Sequence, residues 1–108
     1  MYRQLCAGLA ALALVSFTAP AFAGIQDFII RNNGKFAIFY IYVSPTYSEE
    51  WEEDVLGSDV LMPKTEISVE MNGYGDHCGF DIMITDERDN TREYYDVDLC
   101  NVLYVDFP

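Results

Sequence analysis

From Thr65 onward the polar and apolar positions of this 108-residue chain alternate with a period of two, the mark of half-buried strands. Ile67, Val69 and Met71 form one face and Glu66, Ser68 and Glu70 the other. Cys78, Phe80, Ile82 and Ile84 repeat the pattern against Asp81, and Arg92 to Leu99 repeats it again. In that run Tyr95, Val97 and Leu99 are expected inward and Tyr94, Asp96 and Asp98 outward. Asp86 to Asn90 reads as the hairpin loop between the two, and Val102 to Phe107 as a last strand. Upstream, Ile25 to Asn32 is strand-like and is followed by Asn33-Gly34, a pair suited to a type I′ turn because both central residues need positive φ. Phe36 to Val43 is therefore expected to return antiparallel beside it. With Phe36, Ile38, Tyr40 and Tyr42 on one face and Ala37, Phe39, Ile41 and Val43 on the other, it reads as a central strand covered on both sides.

Alternation stops between Ser44-Pro45 and Pro63. Thr46-x-x-Glu49 has the form of a capping box, and Tyr47, Trp51 and Val55 recur every four residues with Gly57 as a stop. That spacing fits a short helix, which Glu52, Glu53 and Asp54 would oppose by crowding the negative end of its dipole. The six strands predict an all-β domain, an antiparallel sandwich or small barrel of unspecified strand order with a long acidic loop.

The first 23 residues read as an export signal: Arg3 in a short polar start, a 13-residue apolar run from Leu5 to Phe17, and the small-residue site Ala21-Phe22-Ala23. The run is shorter than the roughly 18–20 residues that cross a bilayer, so no membrane insertion is expected after cleavage. Cys6 lies inside the run and is not placed for lipid attachment. Residues 24–108 then form one exported domain, periplasmic or extracellular. Arg3 is the one charged residue removed, so the formal charge goes from −12 to −13. In those 85 residues, 15 Val and Ile stand against five Ala and Leu, which favours strands over helices.

A domain this small buries only about 60–65% of its unfolded surface and gains from a covalent staple. Cys78 and Cys100 remain after cleavage, and in an oxidising compartment they are expected to pair. The strand alternation and the cysteine pairing imply registers that differ by one residue. Either a bulge interrupts the ladder near Leu99-Cys100, or the strand ends there and Cys100 bridges from a bend. Asn101, a turn-former, favours the bend.

The order Tyr42-Val43-Ser44-Pro45, Trp51-x-x-Asp54-x-Leu56-Gly57, Cys78-Gly79-Phe80-Asp81 and Asp98-Leu99-Cys100 resembles a family of small exported bacterial proteins of unassigned activity. Its pattern is Tyr-x-Ser-Pro, Trp-Gly-x-Asp-x-Leu-Gly, Cys-x-Tyr-Asp and a late Leu-Cys. The chain departs from it with Glu52 in place of glycine and with Met62-Pro63-Lys64 where a glycine turn is common. The resemblance implies no catalytic residue.

Charge then separates function classes. A surface of this sign repels nucleic-acid phosphates and anionic lipid headgroups, and it attracts basic proteins or peptides. Five of the 18 acids, Glu49, Glu50, Glu52, Glu53 and Asp54, flank the single tryptophan Trp51, with Asp59 just beyond. They are candidate ligands for Ca²⁺, which takes six to eight oxygens, although the alternating Asp spacing of a dedicated loop is missing. The plain alternative is a solvated face whose Trp51 plugs the core. Asp86, Asp89 and Asn90 form a second acidic group at a hairpin turn.

Trp51, Tyr40 and Tyr42 are candidate aromatic contacts, and Tyr94 and Tyr104 could join them in stacking on a sugar. His77 is the lone histidine and reads as an exposed turn residue. The expected function is a non-catalytic, exported, acidic binding module with no cofactor. A Ca²⁺-dependent version using the acidic loop is the alternative, and a small hydrolase the third reading.

Overall fold

The computed structural model describes residues 24–108 apart from Glu53, so the export signal of residues 1–23 lies outside the described residues, as does one of the five loop acids. Strands β1 (Phe28–Asn32), β2 (Ile38–Pro45), β3 (Glu66–Val69), β4 (Gly79–Asp86), β5 (Thr91–Asp98) and β6 (Tyr104–Phe107) form two three-stranded sheets, ordered β3-β1-β6 and β2-β4-β5. One buried cluster draws Phe28 and Ile30 from β1 together with Ile41, Phe80, Ile82 and Ile84 from the other sheet. The domain is thus an all-β sandwich with a shared core. The pattern had placed Ile67, Val69, Met71, Phe80, Ile82 and Ile84 inward; Ile67 is half-buried and the other five are buried. Pairing is antiparallel except between β1 and β6, which run parallel.

The expected hairpin at Asn33-Gly34 does not form. β1 pairs with β3 and β6, and β2 pairs with β4 in the other sheet. Neither Asn33 nor Gly34 takes positive φ. The cause is Asn32, whose buried amide donates to the carbonyls of Phe36 and Leu61, both at 2.9 Å, while its Oδ1 accepts the Gly34 N–H at 3.0 Å. These bonds offer the backbone a path across the sandwich in place of a hairpin ladder.

β2 is consequently an edge strand and not a central one. A register shift between Ile38 and Tyr40 leaves Ile38, Ile41 and Val43 buried and turns Phe39 and Tyr40 out. The acidic loop covers the open edge. Asp54 Oδ1 accepts the Ile41 N–H at 2.8 Å, the Val55 N–H donates to the Ile41 carbonyl at 2.8 Å, and Leu61 exchanges two backbone bonds with Ile38. No helix forms in the loop among the described residues. Thr46 turns toward His77 and Gly79 instead of capping, and the Glu52 N–H is taken by Ser44 Oγ at 2.7 Å. An edge masked by a charged, irregular segment resists pairing with another chain.

Cys78 and Cys100 are joined in a disulfide. β5 ends at Asp98, and a turn in which Asp98 Oδ1 accepts the Cys100 N–H and Asp98 Oδ2 accepts the Asn101 amide carries Cys100 to its partner, the bend that Asn101 favoured.

Candidate functional site

With Phe80, Ile82 and Ile84 inward, the opposite face of the β2-β4-β5 sheet takes Asp81, Met83 and Thr85 from its central strand. Pairing sets Tyr40 beside Thr85, Tyr42 beside Met83, Ser44 beside Asp81, and Glu93 across from Met83. The Tyr40 and Tyr42 rings stack on one another, centroids 6.3 Å apart and nearly parallel at 13°. This face has no sheet against it.

Tyr95 also lies on this face, contrary to the inward position its alternation implied. A register shift between Phe80 and Ile82 puts Val97 opposite Phe80 and Tyr94 opposite Ile82, so Tyr95 and Asp96 bulge out of the ladder. Asp96 takes a φ of 53°, and its N–H donates to Asp81 Oδ1 at 2.9 Å. The bulge brings Asp96 Oδ1 to within 2.9 Å of where a Cβ on Gly79 would stand. Tyr94 packs toward the core in place of Tyr95, which is 63% exposed.

Trp51 does not plug the core. It is half-buried on the outer face with its ring 6.5 Å from that of Tyr95, inclined at 40°. The two rings, Ser44, Glu49, Glu50 and Asp81 line a cavity of about 220 Å³. The Tyr95 hydroxyl donates to Glu93 at 2.8 Å; that bond, then desolvation and the charges of Glu93 and Asp81, raises its pKa, so it stays a neutral phenol.

The loop acids divide. Glu49 and Glu50 open onto the Trp51–Tyr95 cavity, whereas Glu52 and Asp54 line a second cavity of about 390 Å³ with Glu70, Val43 and Tyr74. There Glu52 accepts the Tyr74 hydroxyl at 3.0 Å; burial first, then this bond, raises the phenol pKa. Asp54 is committed to the N–H groups of Ile41 and Leu56. Among the described residues one group alone, Cys78, Asp98 and Cys100, gathers three possible metal-ligand atoms within 4.8 Å, and two of its members are bonded to each other. Glu49, Glu50, Glu52 and Asp54 are not gathered in that way.

The other candidates have local duties. Asp86 is buried and accepts the N–H groups of Arg88 and Asn90 and the Asn90 amide, all at 2.8–3.0 Å, closing the β4–β5 turn. His77 is half-buried and not an exposed turn residue, its ring against Tyr47 and Phe80. Its Nε2 lies 3.3 Å from Thr46 Oγ1, a hydrogen bond that joins the start of the acidic loop to the segment before β4. Tyr94 and Tyr104 do not join Tyr40, Tyr42 and Trp51 in one platform, since Tyr94 turns toward the core and Tyr104 lies on the other sheet.

Sequence reasoning missed Tyr95 as a partner of Trp51. The one signal available was the register conflict, which pointed to an irregularity near Leu99-Cys100, whereas the bulge lies at Tyr95-Asp96. No protein-family model, curated protein or solved structure matches the chain.

Proposed function

We propose that residues 24–108 form a non-catalytic, exported binding module that takes a cationic protein or peptide on the outer face of the β2-β4-β5 sheet. The observation that carries this reading is an unpartnered face where Tyr40, Tyr42, Trp51 and Tyr95 stand among Glu49, Glu50, Asp81 and Glu93. None of the five cations of these residues is placed on it. Arg31 faces outward from the other sheet, Lys35 and Lys64 line a cavity with Phe107 and Pro108, Arg88 lies over the Phe36 ring, and Arg92 shares a side with Ile84. Acid surplus steers cations in, and aromatic rings hold what arrives. Export is supported by the Cys78–Cys100 disulfide, which persists in oxidising compartments.

Calorimetric titration with a basic and an acidic peptide of equal length tests the reading. The basic peptide should bind, at least about tenfold more weakly when NaCl is raised from about 20 to about 200 mM, because screening shortens the range of exposed charges. The acidic peptide should not bind, and EDTA should change nothing. Equal binding of both peptides, or none of the basic one, overturns it.

A further inference from the structure

Resting on that reading, we infer that the Trp51–Tyr95 cavity is the seat for a single arginine side chain presented by the basic partner. The fold already displays the required chemistry elsewhere. On the other sheet the Arg31 guanidinium lies 4.1 Å from the Tyr104 ring centroid and makes two bonds to Asp106, at 2.6 and 3.1 Å. On that surface a guanidinium carried by the neighbouring strand rests over an aromatic ring and pairs with a carboxylate. The Trp51–Tyr95 cavity supplies the same two components, two inclined rings with Asp81, Glu49 and Glu50 around them, and lacks the cation.

Arginine fits better than lysine for geometric reasons. Its planar fork stacks on a ring and bonds a carboxylate with two parallel N–H groups, whereas an ammonium is a hydrated point charge. About 220 Å³ has room for one such head group and not for a folded segment of chain, so the peptide backbone stays outside the cavity. Asp81 lines the cavity with its Oδ1 held by the Asp96 N–H at 2.9 Å, so this carboxylate is already oriented where the fork would bond.

Trp51 is the only tryptophan, so its emission reports on this cavity alone. Titrating the chain with an arginine-rich peptide should change Trp51 emission saturably, and a lysine peptide of equal charge should bind at least about threefold more weakly. Tyr95→Ser, at a position mostly exposed to solvent, and Asp81→Asn should each weaken the arginine peptide by about fivefold or more with circular dichroism unchanged. Free N-acetylarginine amide should bind far more weakly than the peptide. Binding of the arginine peptide with Trp51 emission unmoved and Tyr95→Ser without effect overturns the cavity and leaves the cation-binding face standing. Equal affinity for both peptides overturns arginine as the seated group. The free amide binding as well as the peptide overturns the protein partner. Absence of binding by either peptide removes the underlying reading as well.

Discussion

On the outer face of the β3-β1-β6 sheet Arg31 covers the Tyr104 ring and pairs with Asp106, whereas on the outer face of the β2-β4-β5 sheet Trp51 and Tyr95 stand among Glu49, Glu50 and Asp81 with no cation from the described residues. The hydrogen bond from Arg31 holds the Asp106 carboxyl below the usual aspartate range and raises the Arg31 pKa in return, so the first face meets its own charge. The second face leaves its charge for something else to meet. Both faces carry aromatics and acids, and the first also carries a guanidinium of its own, which is the ground on which the second is proposed as a place for a partner. Each of the following experiments either removes a support of the open face or alters the closed one.

The largest effect should come from the disulfide. Cys78 precedes β4 and Cys100 follows β5, so the bond ties together the two strands that carry Asp81 and Tyr95. Closing a loop of sequence separation 22 removes unfolded-state entropy worth about 3 kcal/mol. A Cys78→Ser, Cys100→Ser double variant should lose roughly that much in denaturant unfolding. It should also bind the arginine peptide more weakly under conditions where it is still folded, while the Arg31–Asp106 contact on the other sheet is unaffected. A variant as stable as the parent would show that packing alone aligns β4 with β5.

Asp54→Ala comes next. The carboxylate accepts two backbone N–H groups, one of them from the fully buried Ile41, and so pins the acidic loop along the β2 edge. Leaving those donors without an acceptor should cost about 1–2 kcal/mol. It should also free the loop that carries Trp51, lowering affinity for the arginine peptide, and uncover an edge strand, which size-exclusion chromatography would report as self-association. Unchanged stability would mean that the Val55 and Leu61 backbone bonds hold the loop by themselves.

The ease with which these supports were seen in the sequence varied with how local they are. Period-two alternation found β3, β4 and the β4–β5 turn, and two cysteines left after an expected export signal were enough for the disulfide, because each depends on near neighbours or on a single pairing. Asn33-Gly34 misled, since the competing bonds of Asn32 reach Leu61, 29 residues away, and no local rule weighs them. Tyr95 was placed inward because alternation assumes an unbroken ladder, and the break is set by Asp96 with its positive φ and its bond to Asp81, 15 residues earlier. The acids and the tryptophan of the site were therefore visible, and the second ring that turns them into a cavity was not. Lys64 takes a φ of 66°, a conformation that favours glycine and that a lysine in the sequence does not announce.

A smaller, pH-dependent effect should arise at the far end of the same sheet. Burial pushes the Asp86 carboxyl up, but the bonds from the Asn90 amide and from the Arg88 and Asn90 N–H groups, with the Arg88 charge, outweigh it and leave the pKa lowered. A group depressed in the folded state contributes fully above its unfolded value, near pH 4 for aspartate, and its contribution fades as pH falls through the lower folded value. Asp86→Asn should cost about 1 kcal/mol at pH 7, since the new amide repels the Asn90 donor. The gap between variant and parent should close on acidification below about pH 4. A gap that persists to low pH would mean that the charge of Asp86 is irrelevant and its shape is what the turn uses.

The smallest effect asks the most of the comparison. Arg31→Gln removes the cation from the closed face and leaves Tyr104 and Asp106 arranged as before on strand β6, which is held to β1 by its backbone pairing. Stability should barely move, because exposed ion pairs contribute little. The freed ring and carboxylate should acquire a second, weak site for the arginine peptide, visible as added heat in calorimetry but silent in Trp51 emission, since Trp51 lies on the opposite sheet. If no second site appears, a missing charge is not sufficient to open a face, and the two inclined rings of Trp51 and Tyr95, which the Tyr104 face does not have, are the feature that selects the partner.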